Sequence, residues 1–177
     1  MSTLWQNIFK SGGKRDQGER VLAILKRIPV FEDLSRRELA SVERILHRRE
    51  YESDEVVFYQ EDPGVGMYIV QEGSVAIVSE PSGQVLAQLG GGEFFGEMAL
   101  LDDSPRSATA VCKTPSRLLV FFQADLFGLV EREPRLGVKI MTRLARVIAE
   151  RLRRTLLLVQ PAAPTASGDR EAEPTRE

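Results

Sequence analysis

Residues 95–109 read Phe95-Gly96-Glu97-Met98-Ala99-Leu100-Leu101-Asp102-Asp103-Ser104-Pro105-Arg106-Ser107-Ala108-Thr109. The apolar run Met98 to Leu101 predicts one short helical turn, opened by a glycine and a carboxylate. A polar turn at Asp102-Asp103-Ser104 then leads through Pro105-Arg106-Ser107 into an apolar strand. A glycine at the start of a helical turn lets a phosphate approach the backbone, where unpaired N–H groups favour an anion. Arg106 can meet the same phosphate with a forked guanidinium. Glu97 repels a phosphate, but it can accept a hydrogen bond from a sugar hydroxyl. A ribose whose phosphate lies beside its hydroxyl meets all three demands.

Outward from this stretch the hydrophobic period changes twice. From residue 55, Val56-Phe58, Met67-Ile69, Val75-Ile77, Val85-Ala87-Leu89, Ala108-Ala110 and Leu118-Val120-Phe122 form short strand-like runs. Asp62-Pro63-Gly64, Gln71-Glu72-Gly73, Pro81-Ser82-Gly83, Gly90-Gly91-Gly92 and Thr114-Pro115 punctuate them as turns. Gly90 to Gly92 lacks a following Lys-Ser/Thr and reads as a strand connection rather than a phosphate loop. Before the strands, Val21, Leu22, Ile24, Leu25 and Ile28 make a helical stripe ending at Pro29. Ser35 with Glu38 forms a capping box ahead of Leu39, Val42, Ile45 and Leu46, and His47 reads as a helix-end residue. After the strands come a short helix at 124–130 and a long one from Pro134. Met141, Leu144, Ile148, Leu152 and Thr155 run down one face of the long helix, with Gly137 and Leu158 extending the row. The expected class is α+β: an antiparallel β jelly-roll barrel with N-terminal helices and a long C-terminal helix.

The stretch at 95–109 resembles the phosphate-binding cassette of cyclic nucleotide-binding domains, the family of the catabolite activator protein, protein kinase A regulatory subunits and cyclic-nucleotide-gated channels. Ile28-Pro29-Val30-Phe31 with Leu34-Ser35 is similar to the family's entry segment. Val57 to Gly64, Met67 to Val70 and Gly73-Ser74-Val75 are similar to its central strands. The resemblance spans roughly residues 28–155. It implies that Arg106 binds a cyclic phosphate and Glu97 the ribose 2′-hydroxyl. It also implies that amides around Gly96, Met98, Ala99 and Ser107 complete the cradle, beside Ala108. Ile77, Leu86 and Ala87 match wall positions. The implied ligand is cyclic AMP or cyclic GMP, with no metal. Ser107 does not separate the two bases, and cyclic AMP is preferred as the prevalent ligand of the bacterial-looking branch.

Composition bounds the function. With 177 residues and 42% apolar content the chain suits one domain with extensions. It holds no run of 18 apolar residues and no secretion signal at its start, so a cytoplasmic setting is expected. Cys112 stands alone and reads as a buried inert thiol. One histidine, His47, leaves metal-dependent jelly-roll chemistry and histidine catalysis without parts. The expected organisation is a helical extension at 1–27, a ligand-binding unit at 28–160 and a disordered tail at 161–177. With no helix-turn-helix after the long helix, a stand-alone sensing module is expected, acting on an effector protein through movement of its C-terminal helices. Residues 131–160 hold eight Lys and Arg against three Glu. This basic helix leaves a DNA-associated regulator as one rival, and a ligand-independent scaffold of the same fold as another. The long helix also suggests homodimerisation. Leu4, Trp5, Ile8 and Phe9 fall at helical spacing and read as a short helix folded on its own domain, with an amphipathic patch for a membrane surface or a partner as the alternative.

Overall fold

The computed structural model describes residues 14–159. Helices α1 (Lys14–Arg27) and α2 (Arg36–Glu43) precede eight strands: β1 (His47–Tyr51), β2 (Val56–Phe58), β3 (Gly66–Glu72), β4 (Ser74–Ser79), β5 (Gln84–Gly90), β6 (Phe94–Phe95), β7 (Thr109–Cys112) and β8 (Ser116–Phe122). A 3₁₀ turn, Glu97–Leu100, lies between β6 and β7, and α3 (Gln123–Arg132) and α4 (Pro134–Val159) close the fold. The strands form two antiparallel sheets ordered β1-β8-β3-β6 and β2-β7-β4-β5, which is the jelly roll expected from the sequence. The apolar patch at Leu4, Trp5, Ile8 and Phe9 and the tail from 161 lie outside the described residues.

The first sheet is covered on both sides, and its central strands show why they are apolar throughout. Successive side chains on a strand point to opposite faces. In β3 and β8, Met67, Ile69, Leu119 and Phe121 pack toward the helices with Val21, Leu25, Ile28, Phe31, Leu126, Ile140 and Leu144. Their neighbours Tyr68, Val70, Leu118 and Val120 pack toward the second sheet with Val75, Phe95, Ala110 and Cys112. Each fully buried Leu, Ile or Phe contributes roughly 1.5–3 kcal/mol relative to exposure. Val21 and Leu25 of α1 belong to the same core as the strands. Cys112 is fully buried, and that burial pushes its thiol upward.

The capping box forms as the sequence expects. The Ser35 hydroxyl accepts from the Glu38 amide at 3.3 Å, and the Glu38 carboxylate accepts from the Ser35 amide at 2.8 Å. Lys139 of α4 donates to the same carboxylate at 2.7 Å. The Lys139 bond first, and the Ser35 amide second, hold the Glu38 carboxyl down to about 2 from its ordinary 4.5. A depressed carboxyl stabilises the fold above its unfolded value and loses that contribution as pH falls through the folded one. Glu38→Gln is therefore expected to destabilise the protein by about 0.5–1 kcal/mol near neutral pH, the pair being partly solvated. The difference from wild type should vanish between about pH 4.5 and pH 2, as urea melts at stepped pH will show.

Four elements differ from the expectation. α2 stops at Glu43, and His47 is the first residue of β1, where its Nε2 lies 3.0 Å from Asp125 Oδ2. β1 reads His-Arg-Arg-Glu-Tyr, a polar, mostly exposed edge strand without apolar alternation; its register against β8, with Glu50 opposite Arg117, places it. β6 is only two residues long. Along α4 the buried row is Leu136, Ile140, Leu144 and Val147, one step round the helix from the expected stripe, whose Met141 meets the core only in part. Of the expected row, Leu144 and Gly137 are buried, while Met141 and Ile148 flank the core and Leu152 is exposed. The direction from which α3 and the barrel meet the helix selects the buried row.

Candidate functional site

A cavity of about 360 Å³ opens between the 95–109 stretch, the inner ends of β4 and β5, and α4. It begins at Gly96, which adopts φ 73° and ψ 20°. This left-handed conformation favours glycine. A Cβ at Gly96 would also sit 2.7 Å from the Arg106 guanidinium, so the same residue turns the chain and lets the arginine in. The 3₁₀ turn that follows buries Glu97, Ala99 and Leu100 and leaves Met98 half exposed at the rim.

Arg106 is buried to within 6% of full exclusion. Its amide donates to Asp62 O at 2.9 Å, and its carbonyl accepts from the Glu61 amide at 2.9 Å, so the β2–β3 connection anchors its backbone. Its Nη1 donates to Gly96 O at 3.2 Å and its Nη2 to Gly66 O at 2.8 Å. The guanidinium carbon lies 4.2 Å from the Phe58 ring centre and 5.7 Å from that of Tyr68. Its Nε–H is buried and has no hydrogen-bond partner among the described residues. Burial pulls the guanidinium below its ordinary value, partly offset by Tyr68 and Asp62; an arginine remains charged nonetheless. A buried cation with an unpaired donor costs roughly 1–3 kcal/mol, a penalty that an anion in the cavity removes.

Glu97 is also buried, and its Oε1 accepts from Arg151 Nη1 at 2.8 Å. Arg151 reaches back from α4. Its Nη2 donates to Phe94 O at 3.2 Å, and its guanidinium carbon lies 4.4 Å from the Phe94 ring centre. The C-terminal helix is thus tied directly to the carboxylate in the cavity. The site can hold an anion at Arg106, a hydroxyl donor at Glu97 and an apolar ring against β4 and β5.

Gly96, Glu97, Met98, Ala99, Arg106, Ser107, Ala108, Ile77 and Ala87 all line this cavity. Ile77 and Ala87 face each other across β4 and β5. Leu86 is placed elsewhere: it precedes Ala87 on the strand, lies outside the lining and is 55% exposed. Alternation along β5 sends the two side chains to opposite faces. Sequence reasoning missed Phe58, Leu89, Phe94, Phe95, Ser104 and Arg151, all of which line the cavity. Arg151 carried one weak signal, a charge breaking an apolar seam of α4.

Residues 48–133 match the model of the cyclic nucleotide-binding domain. The chain carries a domain of that family. It is 37% identical over 129 residues to the cyclic AMP receptor protein of Thermus thermophilus, covering 71% of this chain and 60% of that protein. It is 32% identical over 167 residues to a cyclic nucleotide-gated potassium channel of Mesorhizobium japonicum, covering 92% of this chain and 42% of the channel. The chain therefore spans less than two thirds of the length of either relative. Among solved structures, a cyclic nucleotide-binding domain from Methylobacillus flagellatus superposes with a TM-score of 0.72 at 28% identity, covering 84% of this chain and 85% of that one. Among the described residues, no helix is long and apolar enough to cross a membrane.

Proposed function

We propose that this domain is a non-enzymatic cyclic-nucleotide receptor, with cyclic AMP as its first ligand, that controls a partner by moving α3 and α4. The observation that carries the reading is the buried Arg106 with an unpartnered Nε–H, in one cavity with the carboxylate of Glu97. Gly96, Met98, Ala99, Ser107 and Ala108 would frame the phosphate, Glu97 the 2′-hydroxyl, and Ile77 and Ala87 the base. The Glu97–Arg151 ion pair gives the ligand a route to α4: a hydroxyl competing for Glu97 changes what holds the helix. Such a ligand shifts the helix only by its differential affinity for the two arrangements. We assign the ligand-responsive unit to residues 28–160 and its setting to the cytoplasm. Calorimetric titration with cyclic AMP and cyclic GMP tests the reading. Micromolar or tighter binding of either supports it, and absence of heat and of competition with a fluorescent analogue for both refutes it.

The exposed end of α4 supports homodimerisation as the mode of output. Leu152, Leu156 and Leu157 are each more than half exposed, and at 26 residues α4 runs about 39 Å, past the surface that buries its first half. A second copy of the same helix would cover them. Light scattering across a concentration series is expected to show a mass rising toward twice the monomer; a constant monomer mass with and without nucleotide refutes it and favours a separate effector. The DNA-associated reading loses some ground because three of the cations of α4 are engaged internally: Lys139 on Glu38, Arg143 on Glu32 and Asp33, and Arg151 on Glu97.

A further inference from the structure

The phosphate-side arginine is held by an aromatic surface delivered from a strand 48 residues earlier in the chain, and no feature of the 95–109 stretch supplies it. Phe58 is the last residue of β2, at the edge of the second sheet, where it pairs with Ala110 across a bulge. Its ring centre lies 4.2 Å from the Arg106 guanidinium carbon, nearer than the Tyr68 ring at 5.7 Å. The ring is itself fixed, tilted at 48° to Tyr68 and at 44° to Phe95, while Tyr68 and Phe95 stack on each other at 5.3 Å. Two carbonyls, Gly66 O and Gly96 O, take the two Nη groups.

We propose that Phe58 is a positioning residue for Arg106: its ring supports one face of the guanidinium while the two carbonyls fix the in-plane rotation, leaving the Nε–H as the donor kept for the ligand's phosphate. The phosphate part rests on the cyclic-nucleotide reading above; the clamp itself does not. A desolvated cation over an aromatic face is attracted by the ring quadrupole, which an aliphatic side chain of similar size lacks. Without the ring, the flexible arginine must lose its rotamer freedom at the moment of binding, and affinity falls even though the charge is still present.

Two measurements separate the clamp from the ligand reading. In the ligand-free full chain, the Arg106 Nε–H cross-peak, assigned by its loss in Arg106→Lys, is expected to be shifted by the Phe58 ring and to exchange slowly with solvent. Phe58→Leu should return it to the ordinary arginine position with faster exchange, and Phe58→Tyr should preserve it. An unshifted cross-peak in wild type, or one unchanged in Phe58→Leu, overturns the clamp whatever the ligand is. In titrations with cyclic AMP, Phe58→Leu should bind roughly 5- to 30-fold more weakly, and Phe58→Tyr should stay within about twofold of wild type. The loss should vanish in an Arg106→Gln background, followed by competition at millimolar nucleotide. An equal loss in that background means that Phe58 acts as a wall against the nucleotide and overturns the positioning role. If wild type binds no cyclic nucleotide, the receptor reading fails and the cross-peak alone decides the clamp.

Discussion

Arg106→Ala is expected to weaken cyclic-nucleotide binding by about 2–5 kcal/mol, or from about 30-fold to several thousand-fold. Three features of the site set this size. The guanidinium is buried, so a phosphate beside it is screened little by water. Both Nη groups are already committed to Gly66 O and Gly96 O, so the cation is in place before the ligand arrives. Its Nε–H lacks a partner among the described residues, so the bond made on binding replaces none of theirs. Arg106→Lys should lose less, keeping the charge but not the fork. Calorimetry reads the affinity, and thermal melts check folding, since the substitution also strips two carbonyls of their donors. Equal affinity in a folded Arg106→Ala protein would sink the phosphate assignment.

The second large effect concerns the sugar. If Glu97 accepts a hydrogen bond from the ribose 2′-hydroxyl, 2′-deoxy cyclic AMP should bind wild type about 1.5–3 kcal/mol more weakly than cyclic AMP, roughly 10- to 150-fold, because hydrogen bonds to charged groups exceed neutral ones. Glu97→Gln should cut that discrimination to about 0.5–1.5 kcal/mol. The ratio of the two affinities is the quantity to follow, because Glu97 also holds Arg151 at 2.8 Å. Releasing Arg151 changes the closure of α4 for both ligands alike and cancels in the ratio, whereas the hydroxyl term does not. Discrimination that survives unchanged in Glu97→Gln would remove this role from the carboxylate. Absolute affinities of both proteins then report separately how much the tie to α4 contributes.

The cassette was legible because its constraints are local. Gly96 and the turn it opens are contiguous in the chain, and Arg106 is only ten residues away, so spacing alone brings glycine, carboxylate and cation to one place. The strands with alternating or continuous apolar runs were legible for the same reason: burial on one or both faces writes itself into the sequence. β1 was not, because an exposed edge strand of charged residues is held by its pairing with β8 and leaves no hydrophobic period. His47 accordingly passed for a helix end. Leu86 passed for a wall residue because the sequence does not state which face of β5 looks inward; its register with β4 decides that, and turns Ala87 in and Leu86 out.

By itself, then, the sequence determined the jelly roll, the long terminal helix and the turn at Glu97–Leu100, since each depends on neighbours within about one turn or one strand. The tertiary structure alone decided three things. It chose the row of α4 that is buried, because crossing geometry and not periodicity selects among adjacent helix faces. It brought Arg151 back onto Glu97 from 54 positions further along the chain. It also set Phe58 against Arg106 and left that arginine's Nε–H without a partner. Contacts between elements far apart in the chain leave no fixed spacing to read, and they form only when the two sheets and the helix close on one cavity.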